Sequence, residues 1–494
     1  MGERFGYYIM NAVLLLFLCS KFGLSDEVSG VIYAVFYALI YVLSLIGGMI
    51  ADKTKNYKGT IMSGLVTMAA GYALLSIPIL ATPENTGWLL PFTCGALLLI
   101  AFGNGLFKGN LQAIVGQMYD DPKYSDKRDA GFQIFYVFIN VGGVVAPFVA
   151  PLLRSWWLGV NNMTYNAGLP ELCHNYINAG GNLDPDQLAK FQDLAASVMQ
   201  NGAPVGDLMT FSQSYLEVFN TGVHYSFFAS VAAMLISLLI FIFTKKNMPN
   251  PAKKEAMVVE QYTQEEKLAM AKEIKQRLYG LFAVLGIAIF FWFSFHQNGQ
   301  SLSVFARDFV TTESIAPEIW QAVNPFFVIV LTPIVILVFS SLARKRGRDL
   351  STPRKIAVGM FIASLAYLFL TIVAATMGYP SGEEFRSWDV AAQNAVKVGP
   401  WVLIVTYFFL TVAELLISPL GISFVSKVAP PKYQGIMQGG WLGATAIGNQ
   451  LLVIGAILYE SIPIWMTWTV FVVACCISMF TMLFMLKWLE KVAK

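Results

Sequence analysis

Charge is scarce in this chain. Asp, Glu, Lys and Arg make up 13% of its 494 residues, against about a quarter in soluble domains. Cysteine and histidine are scarcer still, at 5 and 3 residues. Cys19, Cys94, Cys475 and Cys476 sit in apolar runs and Cys173 stands alone in a polar segment. That distribution excludes a disulfide framework and offers no metal-ligand spacing. His174 adjoins Cys173, but two neighbours do not make a metal site. No phosphate-cradling glycine loop is present, which argues against ATP as energy source, and no nucleophile–base pair marks the apolar stretches, which argues against an enzyme. Strict apolar–polar alternation is missing too, so the runs are not the roughly ten-residue strands of a membrane barrel. The first apolar run lacks a basic leader and a small-residue cleavage site, and reads as a first helix rather than a signal peptide.

Long apolar runs are what the chain does have, and hydrophobic residues make up 56% of it. Crossing a bilayer takes roughly 20 apolar residues. Twelve runs qualify, near 5–23, 28–51, 60–81, 88–116, 130–153, 222–244, 278–305, 320–342, 355–377, 399–426, 434–458 and 464–486. Backbone groups find no water in lipid, so each span is predicted to be helical. The expected fold is an all-α membrane protein, with twelve transmembrane helices in two six-helix bundles over 1–244 and 278–494. A polar linker, 245–277, joins them; its end, Thr263–Arg277, reads as an amphipathic surface helix with Thr263 and Glu266 in capping-box spacing. A second polar segment, 154–221, is expected to form a small cap on the other side, with a short helix opening at Asp184.

Most of the 33 Lys and Arg fall on the linker side of these spans; Lys21, Arg154, Lys190, Arg307, Arg386 and Lys397 lie opposite. The positive-inside rule makes the linker side cytoplasmic, with both termini. The net charge of +3 is therefore topology and implies no nucleic-acid partner. Asn162-Met163-Thr164 matches a glycosylation acceptor, a pattern common by chance.

A few charges interrupt the apolar runs. Lys108 ends the run Leu89–Phe107, Glu3 and Arg4 enter the first span, and Glu414 lies inside Val402–Val425. An intramembrane ion costs a few kcal/mol unless paired or hydrated, so such residues point to a polar solute. Cations together with a carboxylate suit a zwitterion. Arg4 can fork onto a carboxylate and Lys108 adds a point charge. Glu414 can receive an amine, Asn140 and Asn324 both donate and accept, and Tyr7, Tyr8 and Tyr41 give aromatic walls with hydroxyl tips. Competing readings stand beside these: a structural ion pair for Glu414, snorkelling to the surface for Arg4, helix–helix glue for the two Asn residues.

Several segments carry a family resemblance. Gly47-Gly-Met-Ile-Ala-Asp52-Lys53 and the residues to Gly59 resemble the loop 2–3 signature of the major facilitator superfamily, which implies an inner-gate role for Asp52 and Lys53. Glu3-Arg-Phe-Gly-Tyr-Tyr8, Gly105-Leu-Phe-Lys-Gly-Asn110, Arg128 to Gly142, Phe291-Trp292 with Gln297, Trp320 to Pro325, and Glu414-Leu-Leu-Ile-Ser-Pro-Leu-Gly421 are similar to the proton-dependent oligopeptide transporter family. The resemblance implies the major facilitator fold, alternating access about a central cavity lined by these positions, di- and tripeptides as substrates, and protons as coupling ion with no other cofactor. Expected partners are small peptides and the lipid bilayer, with the chain a monomer in a bacterial-type inner membrane. A facilitator-type carrier of another small organic or anionic solute, and a non-transporting membrane sensor, are the alternatives.

The chain departs from the family pattern in three places. The first-helix motif opens with a further Glu, at a position that would precede Met1; either the native start lies upstream or that carboxylate is lost. His296 stands where many members place Glu, and is a candidate proton carrier beside Glu3 and Glu414. Gly439 stands near a position where relatives carry a small hydroxyl residue, which implies a change in pocket polarity.

Overall fold

The computed structural model describes residues 1–494 apart from 25, 83, 167–168, 201–204, 250–263, 300, 312–316, 348, 389 and 494. In chain order the α-helices are α1 (Gly2–Phe22), α2 (Asp26–Thr54), α3 (Tyr57–Ser76), α4 (Thr86–Gln117), α5 (Arg128–Val160), α6 (Leu169–Asn178), α7 (Pro185–Val198), α8 (Leu208–Thr244) and α9 (Gln264–Phe295). They continue with α10 (Ser301–Phe309), α11 (Pro317–Arg346), α12 (Thr352–Met377), α13 (Gly382–Ser387), α14 (Val390–Ala395), α15 (Trp401–Val428), α16 (Gln434–Gln450), α17 (Leu452–Ser461) and α18 (Ile464–Val492). Eleven segments among the described residues are long and apolar enough to cross a membrane. The 21-residue α1 coincides with the remaining span of the sequence reading.

Local chemistry sets the ends. Gly23, at φ 64°, closes α1 with its N–H on the Cys19 carbonyl, and Gly378, at φ 66°, closes α12. Both use the left-handed conformation that glycine adopts without a Cβ penalty. Pro353 lies in the first turn of α12, where no intrahelical N–H bond is lost.

The structure corrects several boundaries. The run 278–305 is not one helix: it breaks at a 3₁₀ turn over His296–Gly299, so α10 is separate. The run 434–458 divides between α16 and α17. Helices α5 and α8 extend well past 130–153 and 222–244, which shortens the polar segment and leaves α6 and α7 within it. Asp184 does open α7, its carboxylate accepting from Asp186 N. The expected surface helix is continuous with α9, and its capping-box side chains and linker residues 250–263 lie outside the described residues.

Contacts divide the chain into two units: 1–43, 62–107 and 142–246 in the first, 44–61, 108–141 and 247–494 in the second.

In the first unit α1 packs along α8, and α6 packs against both. The His174 imidazole donates from Nε2 to the Ser20 carbonyl at 2.7 Å. Lys21 and Arg154, placed on the side opposite the linker by the sequence, lie on α1 and α5 and are buried. Lys21 Nζ is 3.1 Å from Nε2 of His224, whose Nδ1 meets the Leu75 carbonyl. The Arg154 guanidinium stacks 3.7 Å from the Tyr165 ring centre. In the second unit α12 packs on α15 and α18, and α9 on α16 and α18. Its aromatic core includes Trp292, Phe309, Tyr367, Trp468 and Phe471. Large apolar side chains such as Phe243 and Phe484 point outward, the arrangement a lipid solvent favours.

Candidate functional site

The singled-out residues form a cluster in each unit. In the first, Arg4 Nε donates to Glu3 Oε2 at 2.7 Å and its terminal nitrogen bonds Glu3 Oε1. Asn104, deep in α4, donates to the same Oε1 at 2.6 Å. The guanidinium lies 4.6 Å from the Tyr7 ring centre, and Tyr7 meets Tyr8 edge to face. Tyr41 shares a hydroxyl contact of 3.2 Å with Tyr37. Arg4 is 7% exposed, so it is paired in the interior rather than snorkelling to the surface. A fork of five donors needs acceptors in a dry site, and Glu3 supplies both oxygens.

In the second unit Glu414 is the centre. Tyr136 Oη donates to its Oε1 at 2.5 Å, and Asn324 Nδ2 donates to its Oε2 at 2.7 Å. The carboxylate is 5% exposed, and among the described residues no Lys or Arg pairs with it. The structural ion-pair reading therefore finds no partner for Glu414 among the described residues. Both oxygens are held by neutral donors, which orients the charge without neutralising it. Asn324 also donates to Thr411 Oγ1 at 3.1 Å, so it joins α11 to α15 while it holds the carboxylate. Asn140 instead bonds its own helix, Nδ2 to the Tyr136 carbonyl at 2.9 Å.

Lys108 is half-buried on α4 and lies within electrostatic reach of His296. His296 stacks on Trp292, ring centres 4.9 Å apart and 15° from parallel, and hydrogen-bonds Asn449.

Asp52 acts on a helix end. Its two oxygens accept from Gly435 N at 2.9 Å and Ile436 N at 2.8 Å, and Tyr57 adds a hydroxyl bond. A carboxylate on the free N–H groups of α16 meets both the unsatisfied donors and the positive end of the helix dipole. A Cβ on Gly48 would lie 2.3 Å from the Gly435 carbonyl oxygen, so this backbone approach excludes any side chain there. Lys53 is exposed. A Cβ on Gly439 would fall 2.6 Å from the Ser44 carbonyl, so this glycine serves close packing rather than pocket polarity.

Sequence reasoning missed Asn104 and Tyr136. Asn104 had a signal, an amide inside an apolar run four residues before Lys108. Tyr136 lies four residues before Asn140 on one face of α5, and only the fold shows that its hydroxyl reaches α15.

The POT family model matches residues 58–264 and 252–467. The dipeptide and tripeptide permease B of Shigella dysenteriae serotype 1 (strain Sd197) is 30% identical over 445 residues, 88% of this chain and 80% of that protein. The permease of the same name from Edwardsiella piscicida is 29% identical over 452 residues, covering 89% and 80%. In fold, the chain is similar to a crystal structure of a mutant peptide transporter POT in complex with alafosfalin, at TM-score 0.58 and 21% identity over 99% of this chain and 93% of that one. The same transporter type in complex with sulfate gives 0.57 and 20%, covering 100% and 93%. With a family model matched along most of its length and its helices arranged as in these transporters, the chain belongs to the POT family.

Proposed function

We propose that this protein is a secondary active symporter of di- and tripeptides driven by the proton gradient, working by alternating access. The observation that carries the reading is Glu414, a buried carboxylate oriented by two neutral donors and paired with no cation among the described residues. Such a group is a receptor for an ammonium, and a peptide amino terminus supplies one. Arg4 and Lys108 receive the peptide carboxylate, with Tyr7, Tyr8, Tyr41, Asn140 and Asn324 as polar and aromatic lining. Arg4 is held by Glu3 in this conformation, so protonation of Glu3 frees the guanidinium for the peptide and couples the two solutes. Glu3, His296 and Glu414 are the proton-coupling candidates, and protons are the only coupling ion. Asp52 on the start of α16 closes the gate on the linker side, with Lys53 facing water. The relatives' names as dipeptide and tripeptide permeases support the substrate class. The protein sits in an inner membrane as a multi-pass monomer, linker and termini cytoplasmic, and performs transport rather than catalysis.

The test is uptake of a labelled dipeptide into proteoliposomes with an imposed pH gradient. Accumulation above the external concentration, abolished by a protonophore, is the expected result. Uptake indifferent to the gradient would remove proton coupling. No uptake and no competition by dipeptides would favour a carrier of another solute or a sensor.

A further inference from the structure

A second set of ionic contacts lies in the same unit as Glu414, at the start of α5. Asp129 accepts from Lys355 Nζ at 3.0 Å, from Ser423 Oγ at 2.7 Å and from Thr352 Oγ1 at 3.2 Å. Lys355 also reaches Asp349 at 2.7 Å, while its own side chain is 5% exposed. Next to them Arg128 donates to Ser426 Oγ at 3.1 Å.

These contacts begin a continuous seam. Asp129, Gln133, Tyr136 and Asn140 are spaced four, three and four residues apart, which places them along one face of α5. Opposite them, α15 presents Ser426, Ser423, the Leu415 carbonyl and Glu414 in descending order. Gln133 Nε2 meets that carbonyl at 3.4 Å, and Tyr136 closes the seam on Glu414. Asp129 and Tyr136 are about 10 Å apart along the helix, at 1.5 Å per residue. An uninterrupted helix transmits a shift at one end of such a segment to the other, because its packed faces do not deform continuously.

We propose that Lys355 is a positioning residue for the Glu414 receptor: by holding Asp129 it fixes the register of α5 on α15, and so keeps the Tyr136 hydroxyl on the Glu414 carboxylate. This rests on the reading of Glu414 as the site of the peptide amine. Separating α5 from Lys355 withdraws Tyr136 from Glu414, so the receptor's affinity falls when the Lys355–Asp129 contact is lost.

The test is Lys355→Gln in the full chain. In proteoliposomes the KM for a free-amine dipeptide should rise tenfold or more, while the inhibition constant of its N-acetyl analogue changes less than twofold. Lys355→Arg should return the KM to within threefold of the parent. Hydrogen exchange by mass spectrometry supplies a readout that needs no transport: amides of 129–137 should exchange at least tenfold faster in Lys355→Gln. If that variant does not fold, Ser423→Ala, which removes one donor from Asp129, should raise the free-amine KM two- to threefold and leave the N-acetyl ligand unchanged. Equal losses for both ligands, or parental exchange across 129–137, would overturn the proposal. A parent protein that takes up no dipeptide would defeat the transport reading alone, since the exchange measurement still reports on the seam.

Discussion

Replacing Glu414 by Gln tests the amine receptor most directly. The substitution keeps the shape and removes the charge. Tyr136 and Asn324 remain within reach, at 2.5 and 2.7 Å from the present oxygens. A hydroxyl can turn to accept from the new amide, so the fold bears little of the loss. The ligand bears most of it. An ammonium that loses a buried, hydrogen-bonded carboxylate forfeits about 2–5 kcal/mol, which is about 30-fold to more than 1,000-fold in affinity. The near-complete burial of the carboxylate keeps water from making up the difference. The assay is competition for labelled dipeptide uptake in proteoliposomes, with free-amine and N-acetyl dipeptides compared in the parent and the Glu414→Gln protein. The N-acetyl ligand carries no ammonium, so its affinity should change by no more than a few-fold. Parental uptake by the variant, or equal losses for both ligands, would refute the amine-receptor argument.

Charge removal at Lys108 or Arg4 should weaken peptides with a free carboxylate by at least tenfold, on an expected loss of about 1.5–3 kcal/mol per charged hydrogen bond; C-amidated analogues in the same uptake assay should lose much less, and equal losses would assign both cations a structural role. His296→Gln keeps a polar side chain beside Asn449 but carries no proton. Gradient-driven accumulation should fall while peptide exchange without a gradient survives, and unchanged accumulation would dismiss the histidine as a carrier. Outside the spans, burial holds the His174 imidazole below its ordinary pKa, against the opposing effect of its bond to the Ser20 carbonyl. The unfolded segment therefore binds more protons as pH falls, so the docking of α6 is fully stable above the free-histidine value and weakens as pH drops through the lower, folded one. Limited proteolysis across 161–207 should quicken on acidification, and a His174→Phe protein that quickens equally would exclude the histidine as the cause.

The sequence by itself determined the membrane class, the helical fold and the suspect charges. Hydrocarbon tolerates neither unpaired backbone nor idle ions, so apolar runs must be helices and Glu3, Arg4, Lys108 and Glu414 stand out wherever they end up. Helix boundaries were less legible. The break at His296–Gly299 falls inside an apolar run that composition cannot distinguish from a continuous helix, and the extended ends of α5 and α8 hold each other through Arg154 over the Phe219 ring and Trp157 against Tyr225. Partnership was decided by tertiary structure alone. Nothing in the order of residues says that Glu414 meets Tyr136 from 278 positions away, or that Asp52 caps a helix beginning at Gln434. Hydropathy reports what each residue's surroundings must be like, and periodicity which residues share a face. Which faces meet, and so whether a buried charge is neutralised or left to receive a ligand, is fixed only when the helices pack.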